Sequence, residues 1–208
     1  MAHRTSAEPG TEITVVPANE ASWEDLQTVF GDRGDAHLCQ CQRYKMGNPH
    51  YGSEPHEVRE QALREETECG QPDAGSTTGL VAYLEGEPVG WCNVEPRTAF
   101  PRLRTTRIPW PGRSEDKDDA SVWAVTCFSV RAGYRRHGVT YALAAASVDF
   151  ARERGARALE GYPMVTEPGQ EVSWGEMFVG KRSVLAAAGF REVSRPTKRR
   201  VVMRIDFE

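Results

Sequence analysis

Between residues 131 and 140 the chain reads Arg-Ala-Gly-Tyr-Arg-Arg-His-Gly-Val-Thr, which puts three arginines, a histidine and two glycines in ten positions. Guanidinium groups stay charged at any physiological pH, and a glycine lets a ligand come close to the backbone. Such a loop suits an anion when it feeds a helix, because the first N–H groups of a helix lack intrahelical partners and carry positive partial charge. Arg135, Arg136, His137, Gly138, Val139 and Thr140 are therefore the candidate residues for a phosphate or diphosphate.

The flanking sequence supplies the elements that must position them. Val122, Val125, Phe128 and Val130 lie in a β-branched and aromatic run without charge, which predicts a buried strand. Val139, Ala142, Leu143, Ala146 and Phe150 then recur at three- and four-residue steps, with Arg152 and Arg154 in the last turn and Gly155 placed to cap it. The order is strand, short loop, helix.

That order, with Arg135 and Gly138 at their spacing, resembles the acetyl-CoA signature of the GNAT superfamily of N-acyltransferases: Arg or Gln, two residues, Gly, one residue, then Gly or Ala. Thr140 stands where the family prefers a smaller residue. Ala187-Ala188-Gly189-Phe190 resembles the Gly-Phe that closes the last helix of that fold, and the two matches frame residues 76–206. The resemblance implies a single α/β domain with a GNAT-like mixed, mostly antiparallel central sheet flanked by helices. It also implies acetyl-CoA as cosubstrate, its diphosphate on the amides of residues 135–140 and its pantetheine beside Phe128, Ser129 and Val130.

Direct acetyl transfer to an amine then needs a deprotonated nitrogen, a donor for the developing oxyanion and a proton for the thiolate. A backbone N–H near Val130 is the expected donor. The family's tyrosine before Gly-Phe falls on Leu185, so the proton carriers must come from elsewhere, with Glu95, Glu160 and Tyr162 as candidates. Each also has a structural reading, as a strand-end charge, a salt-bridge partner and a core ring respectively. The implied function is an acetyl-CoA-dependent N-acetyltransferase that moves an acetyl group from the CoA thioester to a primary amine, on a small molecule or a protein. The alternative is a domain of the same fold that binds acyl-CoA as a sensor without turnover.

With 208 residues, 39% of them hydrophobic, the chain can bury one sizeable core. A net charge of −4 gives it no general attraction for nucleic acid or a membrane surface. No apolar run approaches the roughly 20 residues needed to span a bilayer, and the expected location is cytoplasmic. Residues 1–11 are polar and read as a disordered tail ahead of one domain over residues 12–208. A homodimer stays open.

Five cysteines form an odd set and read as reduced thiols. His37, Cys39 and Cys41 invite a metal reading, but Cys-x-Cys is not a zinc-knuckle spacing and neither His50 nor His56 completes it, so no metal site is expected. The remaining pattern predicts a strand at 13–16, a helix over 22–30 capped by Ser22, an irregular stretch over 31–55 and a helix over 55–68. Two strands across 79–94 meet through Glu85-Gly86-Glu87, and the proline- and acid-rich residues 96–120 read as a surface loop insertion. A strand over 156–164, a helix over 176–188 and a strand over 200–207 follow. Residues 175–183 nearly spell a nucleotide P-loop, but Arg182 takes the place of the metal-binding hydroxyl.

Overall fold

The computed structural model describes residues 12–46, 54–166, 172 and 174–208; the predicted disordered tail and His50 lie outside these. The elements run β1 (Ile13–Pro17), α1 (Trp23–Phe30), α2 (Gly34–Cys39), α3 (His56–Thr67), β2 (Leu80–Leu84) and β3 (Glu87–Pro96). After them come α4 (Pro101–Thr105), β4 (Val122–Val130), α5 (Val139–Glu153), β5 (Ala158–Gly161), α6 (Trp174–Met177), α7 (Arg182–Ala187), β6 (Arg191–Ser194) and β7 (Val202–Asp206). The strands form one sheet in the order β1-β2-β3-β4-β5-β7-β6. Neighbours are antiparallel except β4 and β5, which run parallel because α5 crosses between them.

The sheet is buried on both faces. On one face Val139, Leu143 and Phe150 of α5 pack against Ala82, Val89, Cys92, Val94 and Phe128. Gly90 makes this approach possible, since a Cβ there would stand 2.4 Å from Val139 Cγ1. On the other face Leu26, Val29 and Phe30 of α1 and Leu63 of α3 pack on Val81, Trp91 and Cys127. Ser22 caps α1 as its sequence predicts, its Oγ accepting from the Asp25 N–H at 3.0 Å. The Gly155 and Ala156 N–H groups close α5 onto the carbonyls of Arg152 and Ala151.

The structure differs from the sequence reading in four places. Within 96–120, residues 106–120 form the expected irregular and largely exposed loop, but the first part does not. It forms a 3-10 turn (Arg97–Ala99) and α4, and it buries Arg97, Phe100 and Leu103 on the sheet beside Tyr162 and Val202. The helix expected over 176–188 breaks into α6 and α7 because residues 178–182 serve as sheet partners: Phe128 N–H donates to Phe178 O, Met164 N–H to Gly180 O, and Arg182 N–H to Met164 O. α2 and the edge strand β6 arise where no periodic pattern announced them.

What fastens the insertion is a carboxylate. Glu160, fully buried on β5, meets Arg97 at 3.3 Å, Arg204 at 2.7 Å and the Arg113 guanidinium, and accepts from Tyr162 Oη at 3.1 Å. Burial alone would raise its pKa. The Arg113 hydrogen bond and charge, with Arg97 and Arg204, outweigh that and hold the carboxyl below its ordinary range. Replacing Glu160 by Gln leaves three guanidinium groups facing a neutral amide, so Glu160→Gln should destabilise by about 3–5 kcal/mol and lower Tm by about 10 °C. Because the folded-state pKa is depressed, this contribution is present above the unfolded value near ~4.3 and is lost as pH falls through the folded value. The wild-type and variant melting curves, measured against pH, should therefore converge only in acid.

Candidate active site

The β4–β5 ladder joins Val122–Val125 to Ala158–Gly161 and stops, while β4 runs on to Val130. A wedge opens between the two strands. Arg131 N–H donates to Val89 O at 2.9 Å, so by the two-residue alternation of an antiparallel ladder Ser129 directs its N–H and C=O to β3. Phe128 and Val130 direct theirs into the wedge. The Phe128 N–H is accepted there by Phe178 O at 2.6 Å, which leaves the Val130 N–H as the donor nearest the end of the strand.

Two cavities meet at this wedge from opposite faces of the sheet. The one on the α5 side holds about 610 Å³. Phe128 and Val130 form its floor, the loop and start of α5 one wall, and Met177, Gly180, Lys181 and Val184 the other. Gly180, at φ +77°, lies on the Phe128 ring, where a Cβ would come within 3.0 Å. The cavity on the α1 side holds about 370 Å³ and is lined by Phe30, Asp35, Arg43, Cys127, Ser129 and Phe178, among others. A groove along Phe30, Asp35, Ser129, Val130 and Arg135 connects the two.

The loop at the start of α5 is built for an anion. Gly138 caps the helix at φ +84° and Arg136 takes φ +69°, so two positive-φ residues flank His137 where the chain turns into α5. No side chain caps α5 and no acidic residue stands in its first turn. The first ladder bonds there begin at Tyr141 and Ala142, which donate to Gly138 O, so the Val139 and Thr140 amides precede the ladder. Main-chain N–H groups beside the Arg135 and Arg136 guanidinium groups have the chemistry to hold an anionic group such as a diphosphate. A Cβ on Gly138 would touch only Ile13 Cδ1, at 4.0 Å, so the position is bounded by open space rather than by core.

Of the residues singled out in the sequence, Phe128, Val130, Arg135, Arg136, Gly138, Val139 and Thr140 line the α5-side cavity. His137 does not line it; its ring meets Tyr134 edge-on at 6.5 Å. Ser129 is buried and turns to the α1-side cavity.

The three candidate proton carriers line neither cavity. Glu160 is held in its arginine cluster, and Tyr162, buried beside it, has its pKa pushed up by burial and by the Glu160 charge. Glu95 is paired with Lys45 and accepts from Thr78 Oγ1; burial raises its carboxyl while Lys45 pulls it back. Leu185 is fully buried and would meet a Cβ on Gly161 at 2.4 Å, so that position belongs to the core.

Sequence reasoning missed Asp35, Arg43 and Phe178 on the α1 side and Lys181 and Ser183 on the α5 side. Lys181 belongs to the near-P-loop, and its placement across from the cradle was the one signal that stretch held. Cys41 and Cys127 lie Sγ to Sγ at 3.1 Å, and Trp91 Nε1 donates to Cys41 Sγ at 2.9 Å. Burial and the neighbouring Cys127 thiol hold Cys41 well above its ordinary pKa, as a thiol. His37 stacks on His56 with ring centroids 4.2 Å apart.

The family model described as Acetyltransferase (GNAT) family matches residues 42–167, more than half of the chain. The chain is similar in fold to the GNAT domain of S. lividans PAT, at 18% identity over 99% of this chain and 97% of that one, with TM-score 0.53. A structure described as an acetyltransferase is 20% identical over 93% of this chain and 99% of its own, with TM-score 0.52. A Bacillus halodurans protein is 12% identical over 99% and 90%, with TM-score 0.51. No curated protein matches the chain. No described helix is long and apolar enough to cross a membrane.

The cradle can be tested without any organic ligand. Inorganic pyrophosphate at about 100 times its Kd should stabilise the wild-type chain by about 2.7 kcal/mol. In Gly138→Val the side chain crowds those amides, at a folding cost of about 1–2 kcal/mol for a left-handed non-glycine, so the variant should remain folded and lose the pyrophosphate shift. A shift that survives the substitution removes the assignment.

Proposed function

Because the chain belongs to the acetyltransferase (GNAT) family, we propose that it transfers an acetyl group from acetyl-CoA directly to a primary amine. The observation that carries this reading is the meeting of two cavities, one with an anion cradle, at an open wedge in the sheet. The donor, when bound, supplies an acyl thioester. Arg135, Arg136 and the amides of Gly138, Val139 and Thr140 hold its diphosphate, Lys181 adds charge from across the cleft, and Phe128 and Val130 flank the chain leading to the wedge.

On this reading the Val130 N–H, aimed into the wedge, stabilises negative charge on the acyl oxygen. The amine enters from the α1 side. Asp35 is the carboxylate among the described residues lining both that cavity and the connecting groove, and no described cation pairs with it. It attracts the ammonium form and accepts its proton through water, which leaves the nitrogen free to attack; as the C–N bond forms and the C–S bond breaks, the nitrogen's next proton passes to the departing thiolate. Orientation by the two cavities supplies the rest of the rate.

A second reading keeps the fold and the cofactor but not the turnover. It is favoured by one fact: Glu160 and Tyr162, both expected as proton carriers, are committed to the buried cluster. Release of free thiol from acetyl-CoA in the presence of amines separates the two. Turnover is expected, and Asp35→Asn should lower kcat/KM by about 10²-fold while acetyl-CoA still raises Tm as it does in the wild type. A full thermal shift with acetyl-CoA and no thiol release for any amine would make the chain a sensor.

A further inference from the structure

Beyond Phe178 the α1-side cavity opens into a bay of about 520 Å³ that shares Arg43, Gly175 and Phe178 with it. Arg43, Arg102, Arg199 and Arg200 line this bay with Tyr44 and a single described carboxylate, Glu176. The arginines come from three separate places: the 3-10 turn Gln42–Tyr44, α4, and the turn before β7. Among the described residues, Arg102 and Arg200 bond to carbonyl oxygens. Arg102 Nη1 donates to the carbonyl of Arg43 at 3.0 Å, and Arg200 Nε and Nη2 both donate to the carbonyl of Tyr162, at 3.2 and 2.8 Å. Neither pairs with a carboxylate among the described residues. Arg199 has Glu176 at 3.2 Å, but both side chains are about half exposed, and such a pair is weak and screened.

The contrast on the same face is instructive. Arg97, Arg113 and Arg204, a few residues away in the insertion and the neighbouring strand, are each matched to Glu160 or Glu115. Among the described residues, then, the arginines around Glu160 have carboxylate partners, while Arg102 and Arg200 face a cavity without one. Each of those guanidinium groups has five donors in a planar fork that fits a carboxylate or a phosphate.

Resting on the reading of the α1-side cavity as the amine's entrance, we propose that the acceptor is an amine whose far end is an anion held by Arg102 and Arg200. Asp35 lines the α1-side cavity and not the bay, and Arg102 and Arg200 line the bay and not that cavity, so opposite charges at the two places fix which end of the molecule reaches the wedge. The shared chemistry is a carboxylate or a phosphate ester remote from a primary amine.

The test uses the full chain with matched acceptors: 4-aminobutyrate against butylamine and 1,4-diaminobutane, and 2-aminoethyl phosphate against ethanolamine. Thiol release should give at least one anionic amine a kcat/KM about tenfold or more above its neutral match, and the stronger of the two identifies the anion. Arg102→Gln should bring that preference to within about twofold, while Arg102→Lys keeps most of it, which separates charge from packing. Equal or better turnover of butylamine or the diamine, or a preference unmoved in Arg102→Gln, overturns the inference. If acetyl-CoA binds and no amine turns over, the transferase reading falls, and calorimetry on the CoA-saturated chain decides the bay alone. Binding of 4-aminobutyrate or 2-aminoethyl phosphate that is lost in Arg102→Gln upholds it; no preference over the neutral amines overturns it.

Discussion

β4 keeps its antiparallel partner β3 along its length but keeps β5 only as far as Val125 opposite Gly161. A strand that loses a neighbour exposes main-chain donors and acceptors, and an exposed polar edge inside a folded domain has to be satisfied by something. Here part of the edge is satisfied internally, through Phe178 O, and part faces the two cavities. The anion cradle follows from the same geometry. β4 delivers the chain to the loop, and α5 can begin close above the sheet because Gly90 offers no side chain to hold it off.

The second constraint is electrostatic. Burying Glu160 on β5 is unfavourable unless guanidinium groups surround it, and the arginines that do so come from the insertion and from β7. The Trp110 ring adds to this, with Arg97 at 4.9 Å and Lys117 at 4.8 Å from its centroid. An acid that chemistry could have used is thereby made into a fastener. It fixes α4, and with it Arg102, at the edge of the acceptor side.

How much of this could be read from the chain follows from the range of the interactions involved. The strand-loop-helix unit of β4 and α5 was legible because its parts are consecutive and because the apolar steps of α5 and Gly138 at its start act locally. The fold followed from that motif and from the Gly-Phe match. The start of the insertion was misread because Arg97 finds Glu160 across 63 positions of sequence, a pairing that composition does not encode. α2 buries no residue and so shows no apolar stripe, and β6 is a short edge strand with alternate residues exposed. Asp35 and Arg102 carry no local mark; only the tertiary structure gives them a cavity to line.

Phe178 joins the two halves of the site in one residue. Its carbonyl holds the β4 edge through Phe128, while its ring, with Arg43 at 4.6 Å and Tyr44 at 6.0 Å, walls both the α1-side cavity and the bay. A molecule that draws the Phe128 amide away from that carbonyl must also shift the wall against which its partner sits. On the proposed function, affinity on one face is thereby tied to occupancy of the other, and thermodynamics requires that the dependence be mutual.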